Sequence, residues 1–422
     1  MSRPEICRVR VWHRAVRLAL PAVIVLSAAA SAQTAKFEDV VRNLRNPDQK
    51  IRVSAVRLLR EAGYAEAIVP LAPLVTDPID AIQLEAIDAE LAFFLIEPVP
   101  AKKRVALVVE VRTDGRAAAA FDAGPLAVWP KVAPRELVDA LLTAVDDEHK
   151  KVRLEAIYTL GVVAGASGAP LPEPAAARLI KALDHYDPAI REVAARVIGR
   201  LKVKSATDGL LKAVNDSSAA VRYASMRALG ELREERAVQA LTEQLNFYEK
   251  GEGAWSALDA LARIAHHSSV PLFQSRLDDR DPSLRRAAVE GLARAGDPTT
   301  VAKFVTAVNQ DDAEPVRAAM AFALHKQGHA NYLGRLIDFM DSARTAAQVQ
   351  GYLVELGADV VANVLPRLQE PDTGVREHLA TALGVIGDQT AIAALTPLKD
   401  DPDRDVASAA THAIERIRMT QK

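Results

Sequence analysis

The sequence predicts an all-α architecture of stacked helical hairpins, and three observations carry that prediction. One helix is rewritten along the chain: "VRYASMRALGEL" at 221–232 returns as "LRRAAVEGLARAG" at 284 and "VREHLATALGVIG" at 375. The copies recur at a nearly constant period. Composition agrees, with 5% aromatics, abundant Ala and few β-branched runs.

Taking the first residue of each copy as position i, the helices start at Ile51, Ile82, Val152, Ile190, Val221, Gly253, Leu284, Val316, Thr345, Val375 and Val406. Most intervals between these eleven copies are 29–32 residues; 38 residues precede Ile190 and 70 precede Val152. A period of this size marks an array of stacked units. Each copy has an apolar residue near i, usually Leu or Ile at i+8 and often an apolar residue at i+11. Position i+4 is small in eight copies (Ala55, Ala86, Ala156, Ala194, Ser225, Ala257, Ala288 and Ala410). At about 100° per residue these positions form one packing stripe, and the small residue admits a neighbouring helix.

The stretches upstream, such as "RELVDALLTAV" at 135 and "AARLIKALDHY" at 176, are amphipathic too, so each unit is a hairpin. A chain below about 40 residues rarely buries a sufficient core alone, so neighbouring units must supply the missing apolar surface. The junctions repeat as well. Asp48, Asp77, Asp147, Asp187, Asp216, Asp281, Asp312, Asp341, Asp372 and Asp403 precede their second helices, often beside a proline. Asp there caps the helix and Pro starts it. Arg follows at i+1 in seven copies (Arg52, Arg153, Arg191, Arg222, Arg285, Arg317 and Arg376), which predicts an Asp-to-Arg ladder between adjacent units.

Paired helices with Asp-Pro turns, "VR" at the second helix, Ala four residues on and Leu-Gly after that resemble HEAT repeats, especially the HEAT-like repeats of the phycobilisome lyase type. The resemblance covers nearly all of the chain beyond residue 32. It implies a right-handed α-solenoid of about eleven HEAT-like hairpins, with second helices lining the concave side. It speaks to fold more than to function, since such arrays serve mainly as scaffolds and adaptors.

Two units depart from the rule. Unit two has Glu90 where Leu is expected and Leu91 one residue late, so its helix is expected to slip or end irregularly. Next comes "EPVPAKKRVALVVEVRTDGRAAAAFDAGPLAVWPKVAP" at 97–134, in which "VALVVEV" reads as a strand and "TDG" as a turn. This is either an inserted hairpin or a degenerate repeat. Unit six, "LNFYEKGEGAWSALDALARIA" from 245, lacks both the Asp and the Arg. Its Gly-Glu-Gly reads as a loosened turn or as a contact site beside Trp255.

The first 32 residues follow other rules. Arg3, Arg8, Arg10, Arg14 and Arg17 precede an apolar run, Leu18 to Ala30, and Ala30-Ser31-Ala32 has the small-x-small pattern of a cleavage site. The run is shorter than the roughly 20 residues of a membrane span. The expected organisation is a signal peptide at 1–32, repeats one and two at 33–96, the insertion or degenerate repeat at 97–134 and repeats three to eleven at 135–422. Cleavage would remove five of 53 basic and one of 55 acidic residues, leaving 48 against 54, together with the only cysteine, Cys7. Thiol chemistry and cysteine metal ligation would then be excluded, and a net negative chain argues against a nucleic-acid partner. The expected location is periplasmic or secreted, without stable membrane insertion after cleavage.

No phosphate loop, nucleophile elbow or HExxH motif is present. His325 and His329 straddle Gly328 and, like His266 and His267, read as turn residues. The HEAT-like enzyme deoxyhypusine hydroxylase uses His-Glu pairs to hold iron, yet this chain has only the reverse order, in Glu148-His149 and Glu377-His378. Bilin lyases share the repeat type, but the resemblance supplies no residue for chromophore transfer. No catalytic, metal or cofactor site is predicted. Positions i+2 and i+6 lie opposite the packing stripe and hold Tyr158, Arg196, Tyr223, Arg227, Trp255, Asp259 and Phe322, residue types several of which suit interface anchors. The reading is an exported protein-binding scaffold using its concave face; the alternative is a metal-dependent or lyase-type enzyme on the same scaffold. Packing between second helices is the competing role for these seven side chains.

Overall fold

Capping and periodicity place the elements. The computed structural model describes residues 36–97, 103–104, 112–113, 115–166, 168, 171 and 173–420; the expected signal at 1–32 lies outside them. The first two hairpins pair α1 (Phe37–Asn43) with α2 (Gln49–Ala62) and α3 (Ile68–Leu71) with α4 (Asp80–Ala92). Two short strands, β1 (Lys103–Arg104) and β2 (Arg112–Thr113), and a helix, α5 (Arg116–Ala123), follow. Then come α6 (Arg135–Ala144) with α7 (Lys150–Ala166), α8 (Glu173–Ala182) with α9 (Pro188–Arg200), and α10 (Thr207–Ala213) with α11 (Ala219–Leu232). Next are α12 (Val238–Tyr248) with α13 (Gly251–Ile264), α14 (Val270–Ser275) with α15 (Pro282–Ala295), and α16 (Val301–Ala307) with α17 (Glu314–Lys326). The last three units pair α18 (Tyr332–Asp338) with α19 (Ala346–Leu356), α20 (Val361–Val364) with α21 (Thr373–Ile386), and α22 (Ala391–Leu395) with α23 (Arg404–Thr420). The result is an all-α solenoid of eleven hairpins among the described residues.

The apolar stripe is the core. Position i+8 (Leu59, Leu160, Ile198, Leu229, Leu261, Leu292, Leu324, Leu353, Leu383 and Ile414) is buried throughout. Second helices pack directly on one another, α9 on α11, α11 on α13, α13 on α15 and α15 on α17. Glycine sets the spacing of several of these contacts: a Cβ on Gly230 would lie 2.7 Å from the Ala260 Cα, and one on Gly384 would lie 2.7 Å from the Ala413 Cα. Backbone stands opposite in both cases, so neither contact can relax cheaply. Gly230→Ala is therefore expected to destabilise the protein by about 1–3 kcal/mol, against a helix-propensity gain of about 1 kcal/mol; a thermal melt at or above that of the parent would refute the close-packing account.

The arginine ladder has two parts. All seven i+1 arginines donate to the carbonyl six residues earlier, at 2.5–2.9 Å, tying each second helix to the loop that starts it. Four also pair with an aspartate of the next unit: Arg52–Asp77 at 3.0 Å, Arg191–Asp216 at 2.8 Å, Arg285–Asp311 at 2.8 Å and Arg376–Asp401 at 3.0 Å. The same carboxylates accept a backbone N–H two residues on. One aspartate expected from the sequence is thus corrected and another is joined by its neighbour: Arg376 uses Asp401 in place of Asp403, while Arg285 reaches both Asp311 and the expected Asp312, at 2.8 and 2.5 Å. Asp403 instead accepts the N–H groups of Asp405 and Val406. Asp48, Asp187, Asp281 and Asp372 are N-caps.

Unit six replaces its missing rung. Arg222 Nε donates to the Tyr248 hydroxyl at 2.5 Å, and the Tyr248 ring lies over Gly253, where a Cβ would come within 2.4 Å of the ring. Glycine stands at position i because an aromatic ring occupies that side. The turn is not loosened: α13 starts at Gly251 and Gly253 is buried. The helix of unit two does not slip either. α4 continues to Ala92 and carries Glu90 in the leucine slot, fully buried.

In the 97–134 segment, β1 and β2 pair antiparallel, Lys103 opposite Thr113. Units two and three stack directly, with α4 on α7 and α6 on the 3-10 turn Ala72–Thr76. Within residues 115–134 of the segment, α5 packs on α7. Its far end meets the last unit. Arg416 of α23 donates to the Pro125 and Val128 carbonyls at 2.8 and 2.6 Å, Trp129 meets His412 edge to face at 5.6 Å, and Ser408 Oγ donates to Glu97 at 3.2 Å. The period by itself implies an extended array on the order of 100 Å along its contour at about 10 Å per layer; the chain instead curves until its last unit touches the insertion.

Candidate functional site at the inner face

Second helices face inward, and side chains two units apart reach each other across their C-terminal ends. Arg294 of α15 forms a paired contact with Glu355 of α19, with Nη2 to Oε2 at 2.9 Å. The Tyr352 hydroxyl donates to Glu290 at 2.6 Å, and the Phe322 and Tyr352 rings stack at 4.3 Å. Burial and the neighbouring Glu290 push the Tyr352 phenol up, while burial of Glu355 is outweighed by Arg294, Lys326 and Arg233 together, which hold its carboxyl below the usual range. This part of the face closes on itself.

The seven side chains expected to meet a partner divide by exposure. Phe322 is fully buried and Asp259 is 4% exposed, its carboxylate held by Arg263 Nε at 2.8 Å. Both are corrected to internal packing, because the inner face is tight enough for neighbouring units to cover them. Tyr158 is 9% exposed and accepts from Arg196 Nη1 at 2.8 Å; burial pushes its phenol up to about 12. Arg196 also pairs with Asp122 of α5 and lies over the Phe121 ring. Tyr223 is half-buried against Tyr248, with ring centroids 5.6 Å apart. Arg227 and Trp255 are half-buried together, the guanidinium 5.7 Å above the indole ring, and Trp255 Nε1 has no hydrogen-bond partner among the described residues.

Arg196 and Arg227 open onto a pocket of about 260 Å³ lined also by Phe121, Asp122, Arg200, Ala224, Ala228 and Glu231. Arg200 lies 4.4 Å over the Phe121 ring, and burial pushes its guanidinium down. Neither Arg200 nor Arg227 has a hydrogen bond or ion pair among the described residues, and Asp122 is already engaged. Burial pushes the Glu231 carboxyl up in spite of Arg200, Arg263 and Arg227 nearby. Planar donor groups backed by aromatic rings suit bidentate recognition of an anion.

Arg200 and Glu231 stand at i+10 of their units, as do Arg263, Arg294, Lys326 and Glu355. Extending the inward phase by one turn beyond i+6 finds them in the sequence. Phe121 and Asp122 carry no such signal, because they come from outside the period. His325 lies in α17, not in a turn, with burial lowering its imidazole; His266 accepts from the Ser268 N–H at a turn. Among the described residues no group of three or more His, Cys, Asp or Glu is placed to hold a metal, and no helix is long and apolar enough to cross a membrane.

A family model for HEAT repeats matches residues 176–247, 249–325 and 338–415, more than half of the chain. No curated protein matches it. Among solved structures the chain is similar to the crystal structure of an engineered protein, at 19% identity and a TM-score of 0.40, covering 90% of this chain and 98% of that one.

Proposed function

We propose that this chain, which belongs to the HEAT repeat family, is an exported scaffold that receives a protein partner on its inner face at units four and five. The observation that carries the reading is the pair Arg200 and Arg227: two guanidiniums brought together on an accessible pocket with aromatic backing and no partner of their own among the described residues. Arginine and tryptophan so placed are the residue types on which interfaces concentrate their energy. Export is supported by the basic, apolar and Ala-Ser-Ala pattern of residues 1–32. The proposal includes no catalytic step, and stoichiometric iron or zinc in the purified protein would favour the enzyme alternative.

Photo-crosslinking tests the surface. A benzoylphenylalanine at Glu192, one turn before Arg196 on the same face, is expected to capture a discrete protein in the native envelope fraction. The same probe at Asp208, on the outer face where its side chain is 82% exposed, is expected to capture none. Equal products from both positions, or none from Glu192, would refute the inner-face assignment.

A further inference from the structure

Resting on that reading, we infer that the pocket between α9 and α11 recognises a carboxylate presented by an acidic segment of the protein partner, with Arg200 and Arg227 as the binding groups. Positions i+6 and i+10 carry charge in successive units, and those charges are neutralised internally: Asp259 with Arg263 at 2.8 Å, Glu290 with Arg294 at 3.2 Å, and Arg294 and Lys326 with Glu355 at 2.9 and 3.7 Å. Units four and five break that rule. Their stripe holds Arg196, Arg200 and Arg227 against Glu231, and of the three arginines only Arg196 is paired, through Asp122 and Tyr158.

Glu231 does not take up the remaining charge. One of its carboxylate oxygens sits against Gly199, 2.8 Å from where a Cβ on that residue would stand, and no ion pair joins it to Arg200 or Arg227. Burial disfavours its ionised form, as it disfavours the ionised form of Arg200. A carboxylate placed between the two guanidiniums supplies the counter-charge that Glu231 does not. Size narrows the ligand class: about 260 Å³ lies below the roughly 300–1,000 Å³ of pockets that enclose whole small-molecule ligands, so the space suits a side chain or chain terminus rather than a cofactor. The Ala224 and Ala228 side chains form a small, apolar wall that leaves room for the methylene stem of a Glu or Asp.

The test uses the full chain without residues 1–32 and two ten-residue peptides carrying a neutral fluorophore, one alternating Glu with Ser and the other alternating Gln with Ser. The Glu peptide is expected to bind at least about tenfold more tightly than the Gln peptide, and Arg200→Gln and Arg227→Gln each to weaken it about tenfold, the scale of a hydrogen bond to a charged group. Glu231→Gln is expected to tighten binding severalfold, a gain that a misfolded variant cannot produce. Equal binding of the two peptides, or unchanged affinity in both arginine variants with parental melts, overturns the inference. So does displacement of the Glu peptide by equimolar inorganic phosphate, which would mark a small-anion site. The Glu192 crosslink distinguishes the two claims: if it persists in Arg200→Gln, the scaffold stands and the carboxylate site fails, whereas Glu-peptide binding without any crosslink has the opposite meaning.

Discussion

Replacing Glu90 with leucine is expected to stabilise the protein at pH 7 by about 1–3 kcal/mol, the cost of burying a polar group without a partner. Glu90 occupies the i+8 slot that ten other units fill with Leu or Ile, is 0% exposed, and has no hydrogen-bond partner for either carboxylate oxygen among the described residues. Burial alone pushes its carboxyl well above the usual range. The sign of the pH dependence follows. Folded protein holds the Glu90 proton where unfolded chain has released it, so the parent loses stability as pH rises above about 4.5, the ordinary glutamate value, until the folded group itself ionises. Glu90→Leu lacks that loss, and its advantage over the parent grows with pH through the same window. Glu90→Gln removes the charge but keeps a buried amide, so a smaller gain is expected. Denaturant melts at several pH values check this; a Glu90→Leu protein no more stable than the parent at pH 7 would mean that the carboxyl is accommodated without cost.

Removing Arg416 is expected to open the seam between the last unit and the insertion. Its guanidinium is met by two backbone carbonyls, and burial pushes it down. Arg416→Ala forfeits two hydrogen bonds from a charged donor, a loss of about 2–4 kcal/mol. Adding Trp129→Ala removes the contact with His412 as well. Nothing in the nearest-neighbour packing of hairpins closes the array, so the double variant is expected to lengthen towards the open contour. A compact globule of this length would have a radius of gyration of about 21 Å. Solution scattering should show a rise in maximum dimension for the double variant with helix content retained, and superimposable profiles would show that the curvature is held by the stack itself.

The legible parts of the sequence are those that repeat. Each hairpin buries its stripe against the adjacent unit, so the same residue types return at the same offsets, and Leu229, Ala257 or Leu292 can be assigned to the core from spacing alone. The guanidinium-to-carbonyl bond of Arg52 recurs in six other units for the same reason. An inner stripe that stops at i+6 omits Arg200 and Glu231 and includes Phe322 and Asp259, which are buried. Helical phase tells which way a side chain points, not whether a neighbouring unit covers it. Phe322 is covered by Tyr352, and that depends on curvature.

By itself, then, the sequence determined the hairpin, its period, its packing stripe and the Arg-to-loop bond, all of them interactions within one unit or between adjacent ones, where a fixed spacing leaves a periodic trace. Only the tertiary structure decided which aspartates serve as rungs, that Tyr248 fills the gap in unit six, that α5 packs on α7 and that α23 returns to meet the stretch after α5. The contacts of α23 join residues that occur once and stand nearly 300 positions apart, as with Arg416 and Val128. A contact made once has no repeat to average over, and its partner is chosen by the accumulated curvature of eleven stacked units, a quantity that no single unit encodes.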